Sequence, residues 1–164
     1  MNQRQRLIVV RGAGEEREYL AALLASALGG PVAHIRGDDI AHRWVVTPLG
    51  ETRARVEMVY RLLRLVAVSY LKEGYNLVLD APFIAEIEGT IELRTRDLRD
   101  LLRLAHTFRE ISTGVVTLQT ATGAPSHLRA ALDADEIDGE VRVIQNIAGD
   151  EARAVRTILA RLAL

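Results

Sequence analysis

Residues 7–28, LIVVRGAGEEREYLAALLASAL, contain the order of elements that decides the fold. The stretch begins with an apolar run, which predicts a buried strand, and Gly12 and Gly14 follow in a short turn. Beyond the turn, apolar residues recur at the spacing of one helix face, at Leu20, Leu23, Leu24, Ala27 and Leu28. A strand, a glycine turn and a helix in this order direct backbone N–H groups and the helix dipole at an anion. The stretch therefore predicts an anion-binding turn at the edge of an α/β sheet.

The rest of the chain continues the alternation of strands and helices. Further strands are predicted at residues 32–35, 75–81, 114–119 and 141–147, and further helices at 51–73, 92–108, 126–132 and 150–164. Such alternation predicts an α/β fold in three layers, a five-stranded parallel sheet with helices on both faces and right-handed crossovers. At 164 residues, the chain is expected to form a single domain, residues 1–164.

Composition narrows the classes of function. The net charge of −1 provides no basic field for a nucleic acid partner. The chain has no cysteine, which excludes disulfides and thiolate metal sites. No apolar run approaches a membrane span, and the N-terminus lacks the apolar region of a signal peptide. A cytoplasmic protein with neither a nucleic acid nor a membrane partner is therefore expected.

The turn after the first strand resembles the P-loop, or Walker A motif, of small-molecule kinases, but departs from it at its most specific positions. That motif is G-x-x-x-x-G-K-[S/T], in which the lysine contacts phosphate and the hydroxyl contacts Mg²⁺. Counted from Gly12, Arg17 stands at the second glycine, Glu18 at the lysine and Tyr19 at the hydroxyl residue. The only lysine of the chain is Lys72, so no change of register supplies the missing one.

Over nearly its full length, the order of elements is similar to that of chloramphenicol phosphotransferase, the zeta toxins, and gluconate and shikimate kinases. The resemblance implies a P-loop NTPase-like fold with its site at the carboxyl ends of the strands. It places Asp38 and Asp39 where an acidic residue binds or deprotonates the acceptor hydroxyl. It places Asp80 where an aspartate helps with Mg²⁺ or substrate. Arg129 is the only match to the lid arginines that hold the phosphates.

The same residues allow other interpretations. Asp38 and Asp39 could cap the next segment, and Asp80 could hold the turn before a proline. Asp38, Asp39 and His42 are the only tight group of metal-ligand types, but a surface histidine is the favoured interpretation. The glycine turn could also begin a dinucleotide-binding fingerprint, with Asp38 as its ribose-binding acid, but Arg17 stands where the third glycine is needed.

Three functional hypotheses follow from this pattern. The joint loss of the lysine, the hydroxyl and most lid arginines favours a pseudoenzyme that works by binding or assembly and needs no cofactor. The first alternative is an ATP- and Mg²⁺-dependent phosphotransferase or nucleotide binder that uses Arg17, with Arg11, in place of the lysine. The second is a structural subunit of a homo-oligomer, because Leu62, Leu65 and Val68 lie outside the main apolar stripe of their helix.

The glutamates around the glycine turn suggest a further hypothesis about that turn. Glu15, Glu16 and Glu18 lie at or near the first turn of the helix, whose N–H groups and partial positive charge attract anions. A carboxylate of the chain could therefore take the place of a phosphate.

Overall fold

The computed structural model describes residues 5–11, 15–44, 52–80, 100, 102–103, 111–119, 141–144 and 150–162. One sheet of parallel strands runs through these residues in the order β2-β3-β1-β4-β5. The strands are β1 (Gln5–Arg11), β2 (Val32–Arg36), β3 (Asn76–Asp80), β4 (Ile111–Gln119) and β5 (Val141–Ile144). The predicted α/β class with a parallel sheet is confirmed.

The described helices are α1 (Glu15–Ala27), α2 (Gly37–Asp39), α3 (Thr52–Lys72) and α4 (Glu151–Arg161), and a π-helical turn (Ile40–Trp44) continues from α2. α2 and the π-helical turn were not predicted, because this short segment has too few turns to show a helical period. The predicted helix at 126–132 and most of that at 92–108 lie outside the described residues. Among the described helices, none has the length and apolar character to cross a membrane.

The central strand β1 separates two hydrophobic cores. Its residues from Leu7 to Val10 are fully buried, because successive side chains point to opposite faces of a sheet that is covered on both sides. Leu7 and Val9 pack on one face in a cluster that includes Val59, Leu63, Ala67 and Leu71 of α3. Ile8 and Val10 pack on the other face in a cluster that includes Leu20 and Leu24 of α1 and Val155 and Ile158 of α4.

A buried asparagine ties the elements together at the amino end of the sheet. The Asn76 Nδ2 donates to the Gly29 carbonyl at 2.7 Å, and its Oδ1 accepts from the Arg6 backbone N–H at 2.8 Å. The Asn76 backbone N–H donates to the Pro31 carbonyl at 2.8 Å. These bonds join the starts of β1 and β3 to the turn that precedes β2. They therefore help to set the register on which the opposite edge depends.

The carboxyl edge of the sheet brings the candidate site residues together. The parallel register pairs Asp80, the last residue of β3, with Val10 of β1 and with Arg36 of β2. α2 begins directly after β2, and α1 begins a few residues after β1. β3 and β4 lie on opposite sides of β1, and ligands of open α/β sheets bind at such a switch of strand order. Asp38, Asp39 and Asp80 lie at this edge in the structure, where the sequence predicted them.

Candidate functional site

Arg17, Glu18 and Tyr19, the residues at the Walker A positions, lie within the first five residues of α1. Successive residues of an α-helix are turned by about 100°, so three of them point in three directions. Arg17 is buried, Glu18 is half-buried and Tyr19 is exposed. Each of the three side chains contacts a different part of the fold.

Arg17 lies between the two aspartates that the sequence marks as acceptor-site and Mg²⁺-site residues. Its Nη2 donates to Asp38 Oδ2, and its Nε forms an ion pair with Asp80 Oδ1. The Arg17 side chain is 4% exposed, that of Asp38 30% and that of Asp80 0%, so the cation is enclosed. α1, α2 and β3 therefore meet at one guanidinium.

Asp80 has a raised pKa in this site. Burial raises its pKa from the ordinary 3.8 to about 6, because a charged carboxylate loses its water there. The positive charge of Arg17 opposes this shift, and the negative charges of Asp38 and Glu18 add to it. The direction agrees with the geometry, because one guanidinium shared between two aspartates compensates each of them only in part.

A second charge network lies outside the first and includes Glu18. The Arg36 Nη2 donates to Glu18 Oε2, and the Arg36 Nη1 lies 3.8 Å from Asp39 Oδ2. Asp39 Oδ1 is also 3.5 Å from the Arg43 Nε. The Arg36 and Arg43 side chains are 45% and 76% exposed, so these pairs are well hydrated and each contributes little to stability.

The position of Glu18 bears on the hypothesis of a carboxylate at the anion-binding turn. Glu18 was expected near the N–H groups of that turn, but the structure pairs its carboxylate with Arg36 on β2. The turn residues Gly12 and Gly14 lie outside the described part of the chain. Within the described residues, the chain group that fills the site is a cation, Arg17, lying against two carboxylates.

Tyr19 faces away from the other site residues. Its hydroxyl donates to Glu151 Oε1 of α4 at 3.1 Å, and this bond, with the negative charge of Glu151, raises the pKa of Tyr19. The ring is 46% exposed. The residue at the hydroxyl position of the motif therefore links α1 to α4.

His42 has a structural partner rather than a ligand. Its Nδ1 lies 2.8 Å from the Asp38 carbonyl oxygen, four residues earlier in the chain. Among the residues that the structure describes, no group of three or more histidine or acidic side chains is arranged to hold a metal ion. Arg129, the lid candidate, lies outside those residues.

The sequence predicted the two inner aspartates as site residues but not their partner. Arg17 was predicted as a candidate phosphate ligand, and no role was predicted for Arg36. The available signal was electrostatic: Arg17 is the only cation of the glycine turn, and the predicted edge of the sheet already holds several carboxylates. Buried carboxylates require a partner, and a buried arginine is the common one.

Comparisons with known proteins support the fold. No family model and no curated protein matches the chain. A hexameric APS kinase from Thiobacillus denitrificans matches with a TM-score of 0.59 and 22% identity, over 98% of this chain and 29% of that one. An APS kinase from Mycobacterium tuberculosis matches with a TM-score of 0.57 and 13% identity, over 98% and 99%. A sugar kinase from Janibacter sp. gives a TM-score of 0.47 and 11% identity, over 98% and 95%.

These similarities concern the fold alone, because the identities are low. The chain spans less than a third of the length of the hexameric APS kinase. The particular group of kinases that the sequence resembles stays a prediction. The chain has the fold of P-loop kinase-like proteins.

Proposed function

We propose that this chain is a pseudokinase, a P-loop kinase-like protein that has lost phosphoryl transfer and acts by binding or assembly. The observation that carries the proposal is the burial of Arg17 between Asp38 and Asp80. A Mg²⁺-bound nucleotide does not fit this arrangement, because the carboxylates that would face the metal ion are paired with the protein's own guanidinium. Tyr19, in the place of the Mg²⁺-binding hydroxyl, is bonded to Glu151.

The charge balance of the site supports the same proposal. Phosphoryl transfer depends on cations that neutralise the phosphate oxygens. The two networks contain Arg17, Arg36 and Arg43 against Glu18, Asp38, Asp39 and Asp80, which leaves no excess of positive charge. A phosphate brought within about 4 Å of one unpaired carboxylate would meet a repulsion of about 4 kcal/mol at an effective dielectric constant of 20. That energy corresponds to roughly a thousandfold loss of affinity.

The direct test is a thermal-shift and calorimetry experiment with ATP and Mg²⁺. We expect no change in Tm and no heat of binding at millimolar ATP. A ligand at a hundred times its Kd would raise the free energy of unfolding by about 2.7 kcal/mol, which such an experiment resolves. Micromolar affinity for ATP would contradict the proposal. It would instead support the alternative in which Arg17 leaves both aspartates and serves as the phosphate ligand of an atypical phosphotransferase.

Exposed apolar side chains on α3 favour a second candidate, a structural subunit of a homo-oligomer. Met58 and Leu65 are 42% and 56% exposed on this helix. They lie seven residues apart and therefore on the same face. One of the structures with this fold is described as hexameric.

Self-association is tested by light scattering after size exclusion. We expect a mass above that of one chain at tens of micromolar, because a shared interface would cover the exposed face of α3. Leu65→Glu should shift the protein toward the monomer, whereas Ser26→Glu, on an exposed position of α1, should not. A native protein that is strictly monomeric at this concentration would exclude this candidate.

The cytoplasmic location stays a prediction.

A further inference from the structure

The inner charge cluster is built around the Arg17 guanidinium. Asp80 ends β3 with no exposed surface, and Asp38 reaches the same place from α2. Glu18 of α1 adds a further negative charge near Asp80, and the guanidinium of Arg36 on β2 is held by Glu18. Among the described residues, Arg17 is the cation that lies between the two carboxylates. Without it, the two carboxylates would need either protons or another cation.

We propose that Arg17 is a tethered substitute for a divalent metal ion and that it keeps such an ion out of the native site. This inference deepens the proposed function, on which it rests, by naming the ligand class that the site has lost. It has a measurable corollary. When the guanidinium is removed, Asp38 and Asp80 bind Mg²⁺ or Mn²⁺.

The chemistry of the two carboxylates fits this exchange. Mg²⁺ and Mn²⁺ prefer oxygen ligands, and Mg²⁺ sites commonly use one or two carboxylates and several waters. Among the described residues, the ion pair with Arg17 is the interaction that balances the charge of the buried Asp80. Shortening Arg17 to alanine would leave room for an ion with its remaining waters. The ion would be held by side chains that α2 and β3 already fix in place.

The experiment is a titration of Arg17→Ala with Mn²⁺ alone, with no nucleotide present. Loss of the free Mn²⁺ signal in electron paramagnetic resonance should show one ion bound per chain in the variant and none in the native protein. Mn²⁺ at a hundredfold excess over its Kd should raise the Tm of the variant by about 5–10 °C relative to EDTA. The Tm of the native protein should not change.

Two double variants locate the ion. Arg17→Ala with Asp80→Asn should lose the Mn²⁺ response, because it lacks the buried carboxylate. Arg17→Ala with Asp39→Asn should keep it, because Asp39 belongs to the outer network with Arg36 and Arg43. A response that persists in the first double variant would overturn the assignment of the site.

The folding of the Arg17 variants with and without Mn²⁺ also tests the inference. An Arg17→Ala protein that unfolds in EDTA and folds with Mn²⁺ supports the proposal. If it folds in neither condition, Arg17→Gln, which keeps more of the packing volume, undergoes the same titration. A folded variant that binds no Mn²⁺, a native protein that binds it equally well, or failure of both variants to fold with Mn²⁺ overturns the inference. A native protein that binds ATP but no Mn²⁺ would contradict the proposed function but not this inference.

Discussion

Arg17→Met is expected to lower the free energy of unfolding by about 3–5 kcal/mol at pH 7. Methionine keeps most of the length and apolar contacts of the side chain but removes the charge. Asp80, with no exposed surface, would then either stay ionised with no guanidinium beside it, next to the negative charge of Asp38, or hold a proton above its ordinary pKa, and both states cost free energy. Breaking a buried ion pair at one partner is costly for this reason, because the remaining charge cannot regain its water.

The measurement is a urea unfolding curve, and the chain offers a matched control. Arg36→Met removes a guanidinium that is also paired with a carboxylate, but its side chain is 45% exposed and its partner Glu18 is 32% exposed. We expect this control to lose much less stability, because an exposed ion pair contributes little. Equal losses for the two variants would mean that burial does not distinguish the two arginines, which contradicts the interpretation of the site.

A double variant separates the charge of Arg17 from its packing. Asp80→Asn removes the carboxylate that Arg17→Met leaves unpaired, so the combined variant should be less destabilised than the sum of the two single changes. A strictly additive result would show that the two side chains do not interact. A non-additive result would show that Arg17 stabilises the protein through its charge rather than through its apolar contacts.

The sequence predicted the elements that have strong apolar patterns. The runs around Leu7 and Val78 are continuous because both strands are buried on two faces, and they were located to within a few residues. α3 was predicted as residues 51–73 and is observed as Thr52–Lys72, because its apolar stripe spans several turns. α2 and the π-helical turn have no such stripe, and no helix was predicted for the segment that contains Asp38.

Sequence patterns could not predict which side chains pair with each other in the site. The carboxyl ends of parallel strands must share an edge, so the proximity of Asp38 and Asp80 could be inferred from topology. The direction of Arg17 depends on the residue at which α1 begins, since a shift of one residue turns a side chain by about 100°. Glu18 and Arg36 come from separate elements, and their pairing depends on the same rotation.

Asp80 is expected to make the protein less stable as the pH rises from about 4 to about 7. Its pKa in the folded protein, about 6, is above the ordinary 3.8, so the folded state binds its proton more tightly than the unfolded state does. The resulting stabilisation is fully present below about pH 4 and is lost as the pH rises through about 6. A difference of about two pKa units corresponds to roughly 3 kcal/mol.

The check is a series of unfolding curves between pH 4 and pH 8 for the native protein and Asp80→Asn. Other groups titrate over this range, so the informative quantity is the difference between the two proteins at each pH. Asparagine does not ionise, and this difference should therefore shift by roughly 3 kcal/mol in favour of the variant as the pH rises. Asp100→Asn, which removes a carboxylate 3.4 Å from Arg103, is the control for the loss of an acidic side chain.

The same titration should change the effect of Arg17→Met. Below pH 5, Asp80 is mostly protonated and needs no counter-ion, so removal of the guanidinium should cost less than it does at pH 7. A cost that stays the same from pH 4.5 to pH 7.5 would mean that Asp80 does not change its charge in this range. A cost that grows with pH would show that Arg17 acts on the charge of Asp80, as the ion pair between the two side chains implies.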